Sequence, residues 1–258
     1  MEMTNEKIFR IALEQSAIDA NCAPDDFCAA ENVITVSRAH PQARKYLTLP
    51  HACNLISYGS NIVAAIDESL RDAVTSYIGK YPVPHCFETP NLHVLEAELQ
   101  KKGYRICFMA EYFLPDLRVL KELPCGYERR ILTAPDFAPL YRKEWSNALC
   151  EKRRELDVLG VGAYHNGELI GLTACSADCE SMWQIGADVL PQYRRQGIAS
   201  SLTSRLALEI LQRGKVPFYC CAWSNVGSAR NAIRSGFRPA WVELTAKSIA
   251  FTDELNRG

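Results

Sequence analysis

Val189-Leu190-Pro191-Gln192-Tyr193-Arg194-Arg195-Gln196-Gly197-Ile198-Ala199 is the stretch that decides how this 258-residue chain is read. Ahead of it, residues 182–190 (MWQIGADVL) are apolar enough for a strand. Behind it, Ile198, Leu202, Leu206 and Ile210 recur every four positions, one apolar helix face that Gly214 closes. A strand therefore ends, a loop with two arginines turns, and a helix opens on a glycine. The first amides of a helix have no acceptor of their own, and the helix dipole favours negative charge beside them. Gly197 lets the backbone approach a ligand closely and Ala199 keeps the next turn small, so a pyrophosphate fits. An ordinary strand-to-helix turn with solvated arginines accounts for the same residues.

On the C-terminal side, 216–223 is an apolar strand, 228–235 a short helix and 239–246 a last strand. On the N-terminal side, 160–164 and 168–174 are strands around Asn166-Gly167, a two-residue hairpin signal, with His165 at the solvent-facing turn. Residues 127–132 form a strand, and Asp136 caps a helix running through Trp145. Earlier still come a helix over 6–20, a short helix after Ala23-Pro24-Asp25-Asp26, a β-branched strand at 32–37, and strands at 54–58 and 61–66 around Gly59-Ser60. A helix over 68–78, a short strand near Cys86-Phe87, a helix over 91–102 stopped by Gly103 and a strand at 104–113 complete that half. Pro115 and Pro124 mark a connector, which puts a domain boundary near residue 125. The expected organisation is an N-terminal α/β domain, 1–125, and a second mixed α/β domain, 126–258.

Composition excludes several classes. With 48% hydrophobic and 23% charged residues the chain is globular rather than disordered or fibrous. Lys plus Arg (29) balances Asp plus Glu (30), split 12 to 16 before the boundary and 17 to 14 after it, so no overall field draws it to nucleic acid. No apolar run is long enough to span a bilayer, and no cationic segment followed by an apolar block marks a signal peptide. Eleven cysteines, odd in number, irregularly spaced and without a C-x-x-C pair, read as reduced thiols rather than disulfides or metal ligands. A cytoplasmic location is expected.

The pattern Val189-x-Pro191-x-x-Arg194-x-x-Gly197-x-Ala199 resembles the coenzyme A loop of the GNAT superfamily of N-acetyltransferases, whose core is Arg/Gln-x-x-Gly-x-Gly/Ala. Asn225-Val-Gly-Ser228-Ala-Arg-Asn231-Ala232-Ile-Arg-Ser-Gly236-Phe237 is similar to the family's second signature, in which an Asn after a strand contacts the cofactor and a short helix ends in Gly-Phe. The resemblance covers residues 126–248. It implies a GNAT-like α/β fold: a mixed, mostly antiparallel sheet in which the strands at 182–190 and 216–223 form a splayed parallel pair with acetyl-CoA in the wedge. By the same resemblance, the Asp188–Val189 backbone holds the acetyl and pantetheine end. Arg194 and the amides of Arg195, Gln196, Gly197, Ile198 and Ala199 hold the pyrophosphate, and Asn225 and Ser228 reach the pantetheine arm. Arg230, Arg234 and Arg238 either meet the adenosine phosphates or form a solvated helix face.

The implied reaction is direct transfer from acetyl-CoA to an amine, without a metal or a covalent enzyme intermediate, so Cys175, Cys220 and Cys221 are assigned core or lining roles. Two positions depart from the family. Ala232 stands where many relatives carry a Tyr that protonates the thiolate, with Tyr219 or Ser228 as stand-ins. Gln184 stands where several carry a carboxylate base. Glu180 is then the first choice for base, ahead of Asp178 and Asp188; a solvated loop carboxylate is the alternative. The acceptor pocket is expected around Glu144, Trp145, Asn147, Glu151, Trp183 and Gln184, since carboxylates and Trp faces suit a cationic amine. A core role for the Trp residues and a surface role for the Glu residues is the other reading.

The element order from Asn54 to Phe113 echoes that from Val161 to Ala246. The first half therefore reads as a GNAT-like repeat that has lost cofactor binding: Ile66-Asp67-Glu68-Ser69-Leu70-Arg71 replaces the phosphate loop, without glycine and with two acids. An unrelated α/β cap over the acceptor site is the alternative. For the whole chain the leading function is N-acetyl transfer to a primary amine of a small molecule or peptide, by a protein compatible with a homodimer. A non-catalytic acyl-CoA sensor or partner module is the second reading, kept open by Ala232 and Gln184. Transfer from aminoacyl-tRNA is disfavoured by the neutral charge and the intact loop.

Overall fold

In chain order, the residues described by this computed structural model, 3–257, form α1 (Asn5–Ala20), β1 (Val33–Val36), β2 (Cys53–Ser57), β3 (Val63–Ile66), α2 (Arg71–Lys80), α3 (Thr89–Gln100), β4 (Tyr104–Pro115) and β5 (Glu128–Thr133). There follow α4 (Ala134–Phe137), β6 (Asp157–His165), β7 (Glu168–Ser176), β8 (Met182–Val189), α5 (Ile198–Gln212), β9 (Val216–Ala222), α6 (Val226–Arg234), β10 (Phe237–Ser248) and α7 (Ile249–Leu255). The chain divides into two units, Met1–Ile11 with Phe113–Pro239, and Ala12–Tyr112 with Ala240–Gly258. The division falls inside β4 and β10 rather than in the proline connector near residue 125. That connector stays with the first of these units because Leu117 and Leu120 pack into the same core as Phe113 and Phe237.

The unit built on 113–239 carries the strand order β9-β8-β7-β6-β5. Successive pairs are antiparallel from β5 to β8, and β8 and β9 are parallel. Strand alternation puts Leu159, Val161, Cys175, Ile185 and Tyr219 on one face, where α5 covers them with Ile198, Leu202, Leu206 and Ile210. Each Leu or Ile fully buried there contributes roughly 1.5–3 kcal/mol, so the four-residue stripe fixes which side of α5 meets the sheet. The opposite face carries Leu132, Leu172 and Ala174 under Phe137, Trp145, Ala148 and Leu149.

The expected long helix from Asp136 through Trp145 is instead the single turn α4, a 3₁₀ turn over Ala138–Leu140 and another over Lys143–Trp145. Pro139 interrupts it, because a proline lacks the amide that would continue the helix. Its cap is Thr133, whose backbone N–H donates to Asp136 Oδ2 (2.8 Å), so Asp136 is the third helical residue of a capping box rather than the cap itself.

The other unit has the order β1-β3-β2-β10-β4, with β1 and β3 parallel and β3, β2 and β10 antiparallel in turn. Here Leu70, just ahead of α2, with Val74 and Ile78 of α2 and Leu95 and Leu99 of α3, covers one sheet face. The strand expected near Cys86-Phe87 is a 3₁₀ turn over Val83–Phe87, opened by Pro82 and Pro84. The element order of the first half therefore lacks one strand of the echo read in its sequence. Helix α7, which the sequence reading did not anticipate, is capped by Ser248, whose hydroxyl accepts from Phe251 N. Among the described residues no helix is long and apolar enough to cross a membrane, and no disulfide forms.

Candidate active site

The parallel pair opens. Ile185 and Tyr219 are the last matched residues, although β8 continues to Val189 and β9 to Ala222. A cleft of about 740 Å³ fills the gap, lined by residues from both sides of the sheet. Ile185, Tyr219 and Cys221 belong to the α5 side, with Arg194, Ala199, Asn225 and Ser228 beyond them. On the other side lie Ser176 and Gln184, which are register partners, together with Asp157 and the loop from Asn147 to Cys150. The cleft thus passes through the sheet where the strands separate.

At its α5 end a second hollow of about 280 Å³ shares Val189, Arg194, Ala199, Gly227 and Asn231 with the first, and adds Arg195, Gly197, Ile198, Arg230 and Arg234. The first bond of α5 runs from Ser201 N to Gly197 O (3.0 Å), so the amides of Ile198, Ala199 and Ser200 have no helical acceptor. Arg195 and Gly197 both take the left-handed conformation, φ +64° and +80°. That conformation is uncommon for a side-chain-bearing residue, and here it curls successive backbone N–H groups into a concave, anion-accepting surface. A Cβ on Gly197 would sit 3.4 Å from Arg234 Nη2, which places a guanidinium directly over the cradle. An amide cradle under a cation is the donor set a pyrophosphate needs, so the residues present fit the phosphates of coenzyme A. Asn225 caps α6 by accepting from Ser228 N (3.1 Å), and the Ser228 hydroxyl pairs with the Tyr219 hydroxyl at 2.8 Å.

Most residues expected from the sequence to hold the cofactor gather at these two hollows. Asp188, Val189, Arg194, Ala199, Asn225 and Ser228 line the cleft, and Arg195, Gly197 and Ile198 line the cradle. Gln196 lines neither and accepts instead from the Tyr127 hydroxyl at 2.7 Å. Of the three arginines, Arg230 and Arg234 reach the cradle, whereas Arg238 donates to the carbonyl of Phe237.

The acceptor-side expectations divide. Asn147 and Gln184 line the cleft, and Gln184 Nε2 donates to Cys220 Sγ at 3.0 Å. Trp145 is buried in the core beneath the sheet, Trp183 packs against the α5 core, and Glu144 and Glu151 are exposed outside the cleft, Glu151 paired with Arg154. Glu180 is exposed and outside the lining. Asp178 is buried and bound to Arg153. The Asp188 carboxylate accepts from Asn147 N (2.8 Å), Asn147 Nδ2 (2.6 Å) and Ala148 N (2.9 Å), so it ties down the 147–148 loop. Ala232 is fully buried in the α5 core.

Besides Ser176, two site residues stand outside the sequence reading. Gly186 lies where the 147–148 loop crosses β8, and a Cβ there would come within 1.9 Å of the Asn147 carbonyl oxygen. A glycine inside a strand is the signal that could have found it. Gly186→Ala is expected to cost about 1–3 kcal/mol, the usual penalty of overpacking, because the obstacle is backbone. Urea denaturation checks this: a loss below about 0.5 kcal/mol, the size of a neutral surface change, would mean that the loop yields freely. The other residue is Asp157, buried at the start of β6 and lining the cleft. Its Oδ2 accepts from Cys150 N (2.9 Å) and the Tyr141 hydroxyl (3.2 Å), and burial lifts its carboxyl to about 6. Among the described residues no group of His, Cys, Asp or Glu is arranged to hold a metal ion.

A family model described as GNAT acetyltransferase matches residues 55–240, well over half of the chain. It begins in β2, far ahead of residue 126. Among solved structures, the chain is similar to a GCN5-related N-acetyltransferase from Sphaerobacter thermophilus (16% identity, 73% of this chain and 72% of that one, TM-score 0.46). It is also similar to a GCN5-related N-acetyltransferase-like protein from Streptococcus suis 89/1591 (17%, 73% and 71%, 0.45). A third is a GCN5-related N-acetyltransferase from Kribbella flavida (19%, 59% and 63%, 0.43), so the chain spans less than two thirds of that protein's length. No curated protein matches the chain.

Proposed function

The chain belongs to the GNAT acetyltransferase family, and on that premise we propose that it transfers the acetyl group of acetyl-CoA directly to a primary amine of a small molecule or peptide. The observation that carries this reading is the parting of β8 and β9 beyond Ile185 and Tyr219, with an amide cradle at one mouth of the cleft and a polar chamber at the other. The cradle at Arg195–Ser200, with Arg230 and Arg234, takes the phosphates. Asn225 and the Asp188–Val189 backbone line the path of the pantetheine arm, and the thioester lies where the strands separate. The amine arrives from the chamber bounded by Asn147, Gln184 and Ser176.

An ammonium has no lone pair, so a proton must leave before the amine attacks the carbonyl carbon. Unpaired backbone N–H groups of a parted strand suit the negative charge that then develops on the carbonyl oxygen. The departing thiolate needs a proton, and we assign its donation to Tyr219, which lines the cleft beside Ser228. Burial raises its hydroxyl above the ordinary phenol range, so it stays protonated at neutral pH. Its partner Ser228 can reset it. Tyr219 then takes the role that a Tyr at position 232 plays in many relatives.

The competing reading, an acyl-CoA sensor without chemistry, draws on the exposure of Glu180 and the burial of Ala232. Calorimetric titration with acetyl-CoA, followed by thiol detection across a panel of polyamine, amino-sugar and lysyl-peptide acceptors, separates the two. A transferase binds acetyl-CoA and releases CoA thiol only when an amine is present. Binding with no amine-dependent release would replace it by the sensor, and no binding would end both.

A further inference from the structure

Asp157 reaches the cleft because of an irregularity in β6. Leu159 pairs with Cys175, and both face the α5 core; Asp157 pairs with Ser176. In a regular strand residues 157 and 159 share a face, whereas Cys175 and Ser176 lie on opposite faces. The register shift at Val158 therefore turns Asp157 away from the α5 core and onto the face of Ser176 and its own partner Gln184. Bulges that re-aim one side chain in this way are common beside active sites. Asp157, Ser176 and Gln184 form a row of one residue per strand, steps on the order of 5 Å apart, that ends one residue from Ile185, where β8 and β9 separate. The middle member is an orphan: the Ser176 hydroxyl oxygen is buried, lines the cleft and has no hydrogen-bond partner among the described residues. A buried hydroxyl without a partner is costly, and a visiting donor or acceptor would recover that cost. Both hydrogen bonds to Asp157 end on Oδ2; Oδ1 accepts none among the described residues.

We propose that Asp157 is the proton acceptor for the attacking amine, and that the acceptor enters as a cationic ammonium held between Asp157 Oδ1 and the Ser176 hydroxyl. This rests on the transferase reading above. One proton passes from the ammonium directly to Asp157 Oδ1, while the Ser176 hydroxyl oxygen accepts a second N–H and holds the nitrogen in place. The freed lone pair forms the C–N bond, the C–S bond breaks with its electron pair going to sulfur, and the second nitrogen proton is balanced by the one the thiolate receives.

Asp157 is poised for this by its surroundings. Burial raises its carboxyl to about 6, against the Cys150 amide, the Tyr141 hydroxyl and the Arg153 guanidinium, which pull it down. Asp178, held by Arg153, pushes it up, and Asp157 in turn raises the buried Cys175 thiol on the other face of β7. It is ionised at neutral pH yet basic enough to take a proton.

The test uses Asp157→Asn and Ser176→Ala in the full chain, with the best alkylamine of the acceptor panel and with O-methylhydroxylamine, which is already neutral at pH 7. Asparagine still accepts from both Cys150 N and Tyr141. Expected are unchanged acetyl-CoA affinity by calorimetry and, with the alkylamine, kcat/KM down about 100-fold or more for Asp157→Asn. Its low-pH limb near 6 should vanish, and the O-methylhydroxylamine rate should stay within a few-fold. Ser176→Ala should depress the alkylamine rate while keeping that limb. Carbon-13 NMR of labelled aspartate should show a carboxyl titrating near 6 in the wild type that Asp157→Asn removes. Equal losses with both amines, or a retained limb, would overturn the assignment while leaving the transferase reading intact. A wild type that binds acetyl-CoA but acetylates no amine would overturn both.

Discussion

Gly197→Glu is expected to weaken acetyl-CoA binding by at least about 100-fold, or 2.7 kcal/mol, while leaving the fold in place. The residue opens α5 at φ +80°, and the space above it is the cradle itself, closed by Arg234, whose Nη2 would lie 3.4 Å from a Cβ at this position. A glutamate there places its carboxylate among the amides of Ile198, Ala199 and Ser200, where it satisfies the donors that a pyrophosphate would use. It can also pair with Arg234 or Arg230, which removes the cations from the ligand. Left-handed backbone costs an L-residue roughly 1–2 kcal/mol. A negative charge at a helix N-terminus returns about 0.3–1 kcal/mol of that, so the melting temperature should fall by only a few degrees. Gly197→Ala separates the terms, because it carries the backbone strain without the charge and should cost about tenfold or less in affinity. Calorimetry on the three proteins decides it. Glutamate binding as tightly as wild type would mean that the phosphates lie elsewhere.

The amide floor of the cradle is legible in the sequence because what it needs is local: a strand end, two arginines, a glycine and a four-residue apolar period fall within one continuous segment, whereas its covering cations, Arg230 and Arg234, come from α6. The same is true of the Asn166-Gly167 hairpin and of α5. The other side of the cleft is not legible, because it is assembled across the sheet. Asp157 stands outside the apolar strand pattern, which begins at Gly160, three residues later. Its direction depends on a register shift against β7 that no property of residues 157–159 announces. Trp145 and Trp183 resemble acceptor residues in their order along the chain. Trp145 packs because the chain after α4, broken at Pro139, folds its apolar side chains back under the sheet, and Trp183 because strand alternation turns it from β8 toward the α5 core. Asp188 is expected from the sequence to contribute its backbone to the cofactor and to stand behind Glu180 as a candidate base; in the structure its side chain fastens a loop some 40 residues earlier in the sequence.

Arg44→Met is expected to be the most damaging single change, about 3–5 kcal/mol, the usual consequence of removing one partner from a buried ion cluster. Arg44 lies between the strands read at 32–37 and 54–58, in a stretch to which the sequence assigns no element, yet it is only 2% exposed. Its Nε is 3.1 Å from Asp19 Oδ2 and its Nη1 3.4 Å from Glu243 Oε1, and Nη2 donates to the Ser16 hydroxyl at 3.1 Å. The guanidinium carbon is 5.2 Å from the centre of the Trp241 ring, which stacks on Tyr112 and Tyr58. Burial raises both carboxyls and the arginine draws them down. Methionine keeps the volume and the apolar stem but leaves two carboxyls with no cation.

The deficit should depend on pH, and its sign is fixed. Without Arg44 the folded-state carboxyls titrate further above the ordinary values of 3.8 and 4.5, so the folded variant holds more protons than the unfolded chain between those limits. Its stability is then greatest in acid and falls as pH rises through the raised values. Urea denaturation should show a smaller deficit at about pH 5 than at about pH 8. Adding Asp19→Asn and Glu243→Gln should recover most of the loss, since both amides still accept from Gln15 or Trp241. A deficit under about 1 kcal/mol, the same at both pH values, would mean that water reaches the cluster and that the aromatic stack, rather than the charges, holds this part of the unit together.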